Sequence, residues 1–341
     1  MKVQEDYEAF LALPGLSAAL DDVATGLRTA LVGSEELVRP SLRVVEGGGK
    51  RLRPILLIAA ARASQPAIQV SPLDRRVLKS AVAAELVHVG SLVHDDIMDK
   101  AATRRKVPTV NSVEGVNQAL LVGDFLLARA GIEAASVSRD VALALAETIS
   151  DLCVGQSLES LFVDNPLRSF EDTVESIKGK TGALMRAAAA MGALSVERQD
   201  LSGALAEYGM NFGIAFQLID DILDLTSTET LMFKPVNADV RQGLGTVPAI
   251  FAAESLGIAL SELLPPRPVH AGDAVGFQAR VLKTDAVERT LNLIREYNRK
   301  AATALETMPD SATRDGLAGL PALYLSNIVQ TKAPAIAHLV A

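Results

Sequence analysis

The chain has 341 residues, a formal net charge of −8 at pH 7 and a sequence pI near 5.2. This acidic balance argues against a nucleic-acid partner, because binding to a phosphate backbone requires a basic surface. Hydrophobic residues make up 49% of the chain, yet no uncharged run is long enough to cross a bilayer, so we predict no membrane span.

The overall composition favours a helical protein without an internal disulfide. The single cysteine, Cys153, excludes an internal disulfide, and the amino terminus MKVQEDYEAF has no signal-peptide or transit-peptide character, which predicts cytoplasmic residence. Abundant alanine and leucine and only 4% aromatic residues favour an all-α fold. We predict a single domain over residues 1–341, because the segment beyond the breaker cluster at 265–272 is too short for a core of its own.

The first part of the chain combines a helix with a basic glycine-rich turn. Leucine and valine recur at helical spacing between residues 15 and 32, and Pro40 is predicted to close this opening section. The turn Gly47-Gly-Gly-Lys50-Arg51-Leu-Arg53-Pro54 follows, just before a helix that its proline can begin. Helix amides and arginine forks both suit phosphate oxygens, so the turn is a candidate anion site. The alternative is an ordinary solvated loop.

A predicted helix through His88-Val-Gly-Ser-Leu-Val-His94-Asp95-Asp96-Ile-Met-Asp99 carries three carboxylates in an apolar surrounding. Its two faces differ, with an apolar stripe on one side and Glu85, His88, Leu92, Asp95 and Asp99 on the other. Asp95 and Asp99 lie at i and i+4, where like charges repel. A positive partner is therefore expected between them.

A second motif, Asp220-Asp221-Ile-Leu-Asp224, repeats this pattern in another apolar helical context. A single copy would be interpreted as a solvated acidic surface, but the repetition favours a function. Two such helices facing each other would form an all-oxygen site for Mg²⁺, whose remaining positions are filled by phosphate oxygens and water. The predicted ligand is therefore phosphorylated.

With GGGKRLRP, HDDIMD and FQLIDDILD in this order, the sequence resembles the trans-isoprenyl diphosphate synthases of the polyprenyl synthetase family. The resemblance is strongest over residues 47–251. It implies an isoprenoid synthase-type helical bundle around a deep central cavity, with both acidic motifs at its mouth. It further implies head-to-tail condensation of isopentenyl diphosphate with an allylic diphosphate, giving an all-trans polyprenyl diphosphate. The family is usually homodimeric, with the first helices as candidates for the interface.

The resemblance also assigns roles to matching residues. The diphosphate of isopentenyl diphosphate would be bound by Lys50, Arg53, His88 and Arg105. The diphosphate of the allylic substrate would be bound by Arg104, Lys180, Thr181, Gln217 and Lys234. Three Mg²⁺ ions, with substrate bound, would be held mainly by Asp95, Asp99 and Asp220, with Asp96, Asp221 and Asp224 as further ligands or partners of metal-bound water. Asp95, Asp99, Asp220, Lys180 and Arg104 would carry the catalysis. Departures from the family pattern are Lys106, Phe233 and Leu244, the last standing where a lysine is expected.

Gly90 and Ser91, one helical turn below the first motif, are the predicted determinants of product length. Short-chain members of the family carry an aromatic ring there, whereas both side chains are small here, which predicts an open tunnel. The expected product is a geranylgeranyl or longer chain. The alternative is that Gly90 permits close helix packing and another helix supplies the floor.

Two other functions stay open from the sequence. A class I terpene cyclase would share an aspartate motif and Mg²⁺ chemistry, but should lack the Lys50, Arg53 and His88 site for a second diphosphate. A non-catalytic partner subunit of another synthase is supported only by Phe233 and Leu244. Such subunits generally lose an acidic motif, and both motifs are complete here.

Overall fold

The structure is a computed structural model that describes residues 7–105, 107–165, 167–232 and 236–340. Within these ranges the chain is helical apart from turns, loops and one two-stranded antiparallel ribbon, which confirms the predicted all-α class. Helix packing therefore accounts for the core, and the ribbon serves only to present a loop.

The elements follow one another with short connections. The first are α1 (Leu16–Ala30), α2 (Glu35–Glu46), α3 (Leu52–Ser64), α4 (Arg75–Met98), β1 (Thr103–Arg104), β2 (Val107–Pro108), α5 (Val110–Val113) and α6 (Val116–Ala135). Next come α7 (Arg139–Leu161), α8 (Phe170–Ile177), a π-helical turn (Lys178–Gly182), α9 (Ala183–Ser195) and α10 (Gln199–Thr226). The last are α11 (Glu229–Met232), α12 (Ala238–Arg241), α13 (Val247–Leu256), α14 (Leu260–Leu263), α15 (Ala271–Val281), α16 (Ala286–Ala304), α17 (Ala312–Lys332) and a 3₁₀ turn (Pro334–Leu339).

The helices form two compact units. The first comprises the described residues up to Ile149, with Leu184–Gly209 and Ala304–Ala318, and the second comprises Ser150–Ala183, Met210–Thr303 and the described residues from Gly319 onward. The first acidic motif belongs to the first unit and the second motif to the second unit. That the chain is a single domain, and that the two motifs face each other, stay predictions.

Helix α4 is the core element of the first unit. Its amino terminus is capped by the Asp74 carboxylate, which accepts hydrogen bonds from the backbone N–H groups of Arg76 and Val77 at 2.9 and 3.2 Å. Every residue from 81 to 87 is buried, and α4 packs along α6. The two-faced helix predicted from the sequence is therefore buried on both sides in its middle, and polar exposure begins only near its carboxyl end, where Asp95 is partly exposed.

The prediction that Pro40 closes the opening section is wrong, because Pro40 lies inside α2. Proline has no N–H to donate to the carbonyl of Glu36, one turn earlier. The side-chain Nε2 of Gln118, from α6, donates to that carbonyl at 2.7 Å instead. A contact distant in sequence thus replaces the missing helical hydrogen bond and allows the helix to continue.

Other local predictions are confirmed. The helix expected over residues 15–32 is α1, and the breaker cluster at 265–272 covers the loop before α15 and the first two residues of that helix. Ser169 and Asp172 form the predicted capping box at the start of α8, since each side chain accepts a hydrogen bond from the other residue's backbone N–H at 3.0 Å. This cap fixes the chain direction just before the π-helical turn.

Two helices, α4 and α7, are long and apolar enough to cross a bilayer when judged by length and composition alone. In α4 the protein itself buries 67% of the apolar window, as expected of a core helix. In α7 the buried share is 22%, and apolar side chains such as Leu143 and Val154 are exposed.

Candidate active site

A cleft beside α4 brings together residues from three sequence segments of the first unit. Its lining includes Glu85, His88, Asp96, Arg104 and Arg105. The predicted ligands His88 and Arg105 are thus brought to the same cleft as the first acidic motif.

Arg51 anchors the basic glycine-rich turn to α4. It occupies the N-cap of α3 in the left-handed region, with φ 51°, and its side chain turns inward. Nη1 lies 2.5 Å from Glu85 Oε1, and Nη2 donates to the carbonyl of Val45 at 2.5 Å. Of the three cations in the turn, Arg51 is therefore engaged within the protein, while Lys50 is exposed and Arg53 is partly exposed.

Arg105 explains one of the three glycines in this turn, Gly49. Its Nη1 donates to the carbonyl of Gly48, and a Cβ atom on Gly49 would lie only 2.5 Å from the same nitrogen. Gly49 also has a φ of +146°, which side-chain-bearing residues rarely adopt. The ribbon of β1 and β2 presents Arg105 from its turn, so glycine is needed where the two loops meet.

The electrostatics of this cleft favour an anionic ligand. Burial lowers the pKa of His88 well below its usual value, and the nearby guanidinium groups of Arg53, Arg105, Arg104 and Arg51 lower it further. His88 is therefore neutral at physiological pH and acts as a hydrogen-bonding group rather than a cation. Arg104 and Arg105 line the same cleft as His88, and guanidinium groups there suit a diphosphate.

The first acidic motif divides into one buried and two more accessible carboxylates. Asp96 is 4% exposed, and its Oδ1 accepts a hydrogen bond from Arg104 Nε at 2.7 Å. Burial raises the pKa of Asp96, an effect that Arg104 opposes. Asp95 is partly exposed and Asp99 is exposed. Asp96 thus orients Arg104, and the pair best placed for a metal is Asp95 and Asp99.

Gly90 lies against α6 rather than beside open space. A Cβ atom at Gly90 would lie 3.3 Å from the carbonyl oxygen of Gly123 and from side-chain atoms of Leu126 and Leu127. This contact supports the alternative in which Gly90 serves close helix packing. Ser91 is partly exposed, and its hydroxyl donates to the carbonyl of His88 at 2.9 Å. The role of both positions in product length stays a prediction.

In the second unit, a π-helical turn presents Lys180 and Thr181. Such turns are frequent at functional sites because they shift side chains out of the regular helical register. The turn packs tightly on α7, since a Cβ atom on Gly155 would lie 2.5 Å from the backbone nitrogen of Lys180. Lys180 Nζ lies 2.6 Å from Glu159 Oε1, also on α7.

A chain of hydrogen bonds connects this turn to the second acidic motif. Thr181 Oγ1 donates to Gln217 Oε1 at 2.8 Å, and Gln217 Nε2 donates to Asp221 Oδ1 at 3.0 Å. Three residues predicted to act on the allylic diphosphate or the metal are therefore directly linked. Lys234, like Lys106 and Phe233, lies outside the described residues, and its predicted role stays a prediction.

Asp224 has a structural task that its sequence motif did not reveal. Its two carboxylate oxygens accept hydrogen bonds from the backbone N–H groups of Ala238 and Asp239 at 3.0 and 3.2 Å. These contacts hold the start of α12 in place. Asp220 is partly exposed, whereas Asp221 and Asp224 are buried. Asp220 is therefore the carboxylate of this motif best placed to meet a ligand.

Burial raises the pKa of Asp221 to about 7, and the carboxylates of Asp220 and Asp224 act in the same direction, while Gln217 and Arg168 oppose them. The native state thus binds this proton more tightly than the unfolded chain, whose aspartate pKa is about 4. Without metal, stability should therefore fall as the pH rises from about 4 to about 7.

We expect Asp221→Asn to remove this loss of stability with rising pH. With a chelator present, the free energy of unfolding of the variant relative to wild type should rise between pH 5 and pH 8, by up to about 2.5 kcal/mol. Chemical denaturation at several pH values measures this difference. Asp200→Asn is the control, because the pKa of that exposed carboxyl is lowered by Arg198 and it does not titrate in this range. Parallel curves for wild type and Asp221→Asn would contradict the assignment.

The donor set fits Mg²⁺. Among the residues that the structure describes, no group of three or more His, Cys, Asp or Glu side chains is arranged to hold a metal. Mg²⁺ usually takes only one or two carboxylates and fills its other positions with water and substrate phosphates. Asp95 with Asp99, and Asp220 beside a motif whose carboxylates repel one another, provide that chemistry.

Sequence reasoning missed the residues that support the predicted ligands. Glu85 holds Arg51, and Glu159 holds Lys180. Glu85 lies on the predicted polar face of α4, which was its only signal. Glu159 has no local signal, because its partner, Lys180, is distant in sequence. The two side chains come together where Gly155 of α7 packs against Gly179 of the π-helical turn.

The helical fold and the arginine-lined cleft beside the first acidic motif agree with the class of protein that the sequence motifs resemble. The chain matches the polyprenyl synthetase family over residues 34–264. It is 33% identical to the all trans-polyprenyl-diphosphate synthase PDSS1 of Homo sapiens, over 89% of this chain and 72% of that protein. It is 35% identical to the heptaprenyl diphosphate synthase component 2 of Geobacillus stearothermophilus, over 84% and 88% respectively.

A solved structure extends the comparison to the fold. The polyprenyl synthase from Caulobacter crescentus CB15, crystallised with calcium and isoprenyl diphosphate, matches with a TM-score of 0.85 at 29% identity, over 93% of this chain and 97% of that chain. This chain belongs to the polyprenyl synthetase family.

Proposed function

We propose that the chain is a Mg²⁺-dependent prenyltransferase that condenses isopentenyl diphosphate with an allylic diphosphate to give an all-trans polyprenyl diphosphate of geranylgeranyl length or longer. The observation that carries this proposal is the cluster of Arg104, Arg105 and His88, which lines one cleft together with Asp96 of the first acidic motif. Such a cluster suits a second diphosphate substrate, which a terpene cyclase does not use. The relatives, named as polyprenyl and heptaprenyl diphosphate synthases, support the same reaction class.

The chemistry follows from the charges of the named residues. Mg²⁺, when bound, supplies positive charge against the departing diphosphate. Lys180 donates to the oxygens of that diphosphate as the allylic C–O bond breaks. The double bond of isopentenyl diphosphate then attacks the allylic cation, forming one C–C bond. A proton leaves the adjacent carbon for the released diphosphate, and the product is five carbons longer.

The reaction is tested by incubating purified protein with Mg²⁺, isopentenyl diphosphate and, separately, dimethylallyl, geranyl, farnesyl and geranylgeranyl diphosphates. Chromatography of the products then gives their length. Elongation beyond farnesyl by this chain alone supports the full proposal. One relative is named as component 2 of a heptaprenyl diphosphate synthase. A folded protein that elongates no primer would therefore overturn the proposal in favour of the partner-subunit alternative.

Ser91→Phe is the substitution that tests product length. An aromatic ring at this partly exposed position, one turn below Asp95, should block the tunnel and shorten the main product to farnesyl diphosphate or below. Ser91→Ala is the matched control and should leave product length unchanged, since its side chain is equally small. Unchanged products in Ser91→Phe, with normal turnover, would place the tunnel floor on another helix.

We propose that the protein is a homodimer. The first helices were the candidates from the sequence, but exposed apolar side chains on α6 support that helix instead: Val116, Leu120, Leu121 and Ile132 are 51%, 46%, 57% and 52% exposed. Contiguous apolar surfaces usually mark interfaces.

We expect light scattering to give a dimer mass for wild type and a monomer mass for the Leu120→Glu/Leu121→Glu variant. A wild-type monomer, or a dimer unaffected by both substitutions, would contradict this interface.

Cytoplasmic residence, predicted from the sequence, stays part of the proposed function.

A further inference from the structure

Arg168 is a buried cation that the reaction as described above does not use. It lies at the end of the loop between α7 and α8 and is 6% exposed. Its Nε is buried without a hydrogen-bond partner, and among the described residues its guanidinium group forms no direct ion pair. The guanidinium carbon lies 6.0 Å from the centroid of the Phe162 ring, at the outer limit of a cation–π contact. An arginine in this state is suited to a ligand.

Arg168 lies near the second acidic motif. Burial lowers the pKa of Arg168, and the carboxylates of Glu159, Asp221, Asp239 and Asp172 oppose that effect in decreasing order. Among the described residues no ion pair joins Arg168 to any of these carboxylates, and its buried Nε has no hydrogen-bond partner. The Nε donor of Arg168 is therefore not used by the acidic motif.

The loop that carries Arg168 is attached to the segment after the motif. Within this loop, the backbone N–H of Asp164 donates to the carbonyl of Gly243 at 3.0 Å. The Asp164 carboxylate lies 3.2 Å from Arg267 Nε. Gly243 has a φ of +82°, and a Cβ atom there would collide with the Asp164 side chain. Glycine at 243 thus lets the loop approach closely at Asp164, four residues before Arg168.

Phosphate is the ligand chemistry that this arrangement fits. Guanidinium groups donate in pairs to phosphate oxygens, and such charge-assisted hydrogen bonds are about twice as strong as neutral ones. The neighbouring Lys180, Thr181 and Gln217 belong to the proposed allylic diphosphate site and are linked to Asp221 by hydrogen bonds. An anion can bind among these carboxylates because the divalent cations that accompany a diphosphate offset their charge.

We propose that Arg168 is a further substrate-binding residue, whose guanidinium group donates to the diphosphate of the allylic substrate. This inference rests on the proposed function, since it deepens the assignment of the same site. It predicts that Arg168 affects the allylic substrate and free diphosphate but not isopentenyl diphosphate.

The first test uses inorganic diphosphate with Mg²⁺ as the probe, measured by calorimetry. Arg168→Met keeps the length of the side chain but removes its charge, and should raise the dissociation constant roughly 10- to 100-fold. Arg168→Lys should recover part of the loss, because it restores charge without the fork. Arg299→Met, at an exposed position of the same unit, is the matched control and should behave as wild type.

Thermal unfolding separates binding from a structural role. Without ligand, Arg168→Met should be at least as stable as wild type, because it removes a buried charge that lacks a direct partner. With Mg²⁺ and diphosphate, the variant should gain less in Tm than wild type does. A variant that is less stable without ligand, yet binds diphosphate with unchanged affinity, would overturn the proposal.

Steady-state kinetics separate this inference from the proposed function. The KM for the allylic substrate should rise roughly 10-fold or more in Arg168→Met, and the KM for isopentenyl diphosphate should stay within about 2-fold. A wild-type protein that does not elongate any primer would refute the proposed function. An active wild type whose kinetics and diphosphate affinity are unaffected by Arg168→Met would refute only the role of Arg168.

Discussion

Replacing Asp95 or Asp220 by alanine is expected to abolish prenyl transfer, lowering kcat by roughly 10³-fold or more. Each variant loses an accessible carboxylate proposed to hold Mg²⁺, and metal-assisted charge stabilisation contributes several kcal/mol, with about 1.4 kcal/mol for each factor of ten. Product formation with a radiolabelled or chromatographically resolved substrate measures the effect.

Folding should be little affected by these two substitutions. Both aspartates are partly exposed, and alanine has a higher helix propensity than aspartate. Asp21→Ala, at an exposed position of α1, is the control and should retain full activity. Substantial activity in Asp95→Ala or Asp220→Ala, with the control unchanged, would refute the metal assignment.

Lys180→Met and Glu159→Gln are expected to change activity in opposite directions. Lys180 is paired with Glu159 at 2.6 Å, so a substrate diphosphate must compete with this carboxylate. Removing the lysine should lower kcat/KM for the allylic substrate roughly 10- to 100-fold, as expected for a charge-assisted hydrogen bond. Removing the charge of Glu159 releases the lysine and should lower the KM for the same substrate.

The opposite signs distinguish a substrate ligand from a structural ion pair. If Lys180 and Glu159 serve only to join the π-helical turn to α7, either substitution breaks the same contact and both variants should behave alike. Equal losses of Tm, together with an unchanged KM for the allylic substrate in both, would therefore refute the role of Lys180. Kinetics with varied allylic substrate at saturating isopentenyl diphosphate provide the comparison.

The supporting contacts explain why each motif contributes fewer accessible carboxylates than its sequence suggests. Asp96 binds Arg104, Asp221 accepts from Gln217, and Asp224 caps the start of α12. The remaining members, Asp95, Asp99 and Asp220, are at least partly exposed. This division agrees with the predicted emphasis on those three residues, and the ligand role of each stays a proposal.

Features carried by local spacing were predicted from the sequence. The helical period identified α1 and α4, the Ser169 and Asp172 pair identified the start of α8, and the breaker cluster identified the loop before α15. The ordered motifs also identified the family. These predictions succeed because helix periodicity, capping and turn chemistry involve residues only a few positions apart.

Features that depend on partners distant in sequence were decided by the tertiary structure. Pro40 continues a helix because Gln118 reaches Glu36, and Gly90 lies against α6 where a tunnel wall was expected. Arg168 shows the same limit, since a lone arginine in a loop carries no signal of burial. The sequence by itself determined the helices, the motifs and the reaction class. The tertiary structure decided which charged side chains are consumed by internal partners and which stay accessible, because burial and long-range contacts set the cost of leaving each charge without a partner.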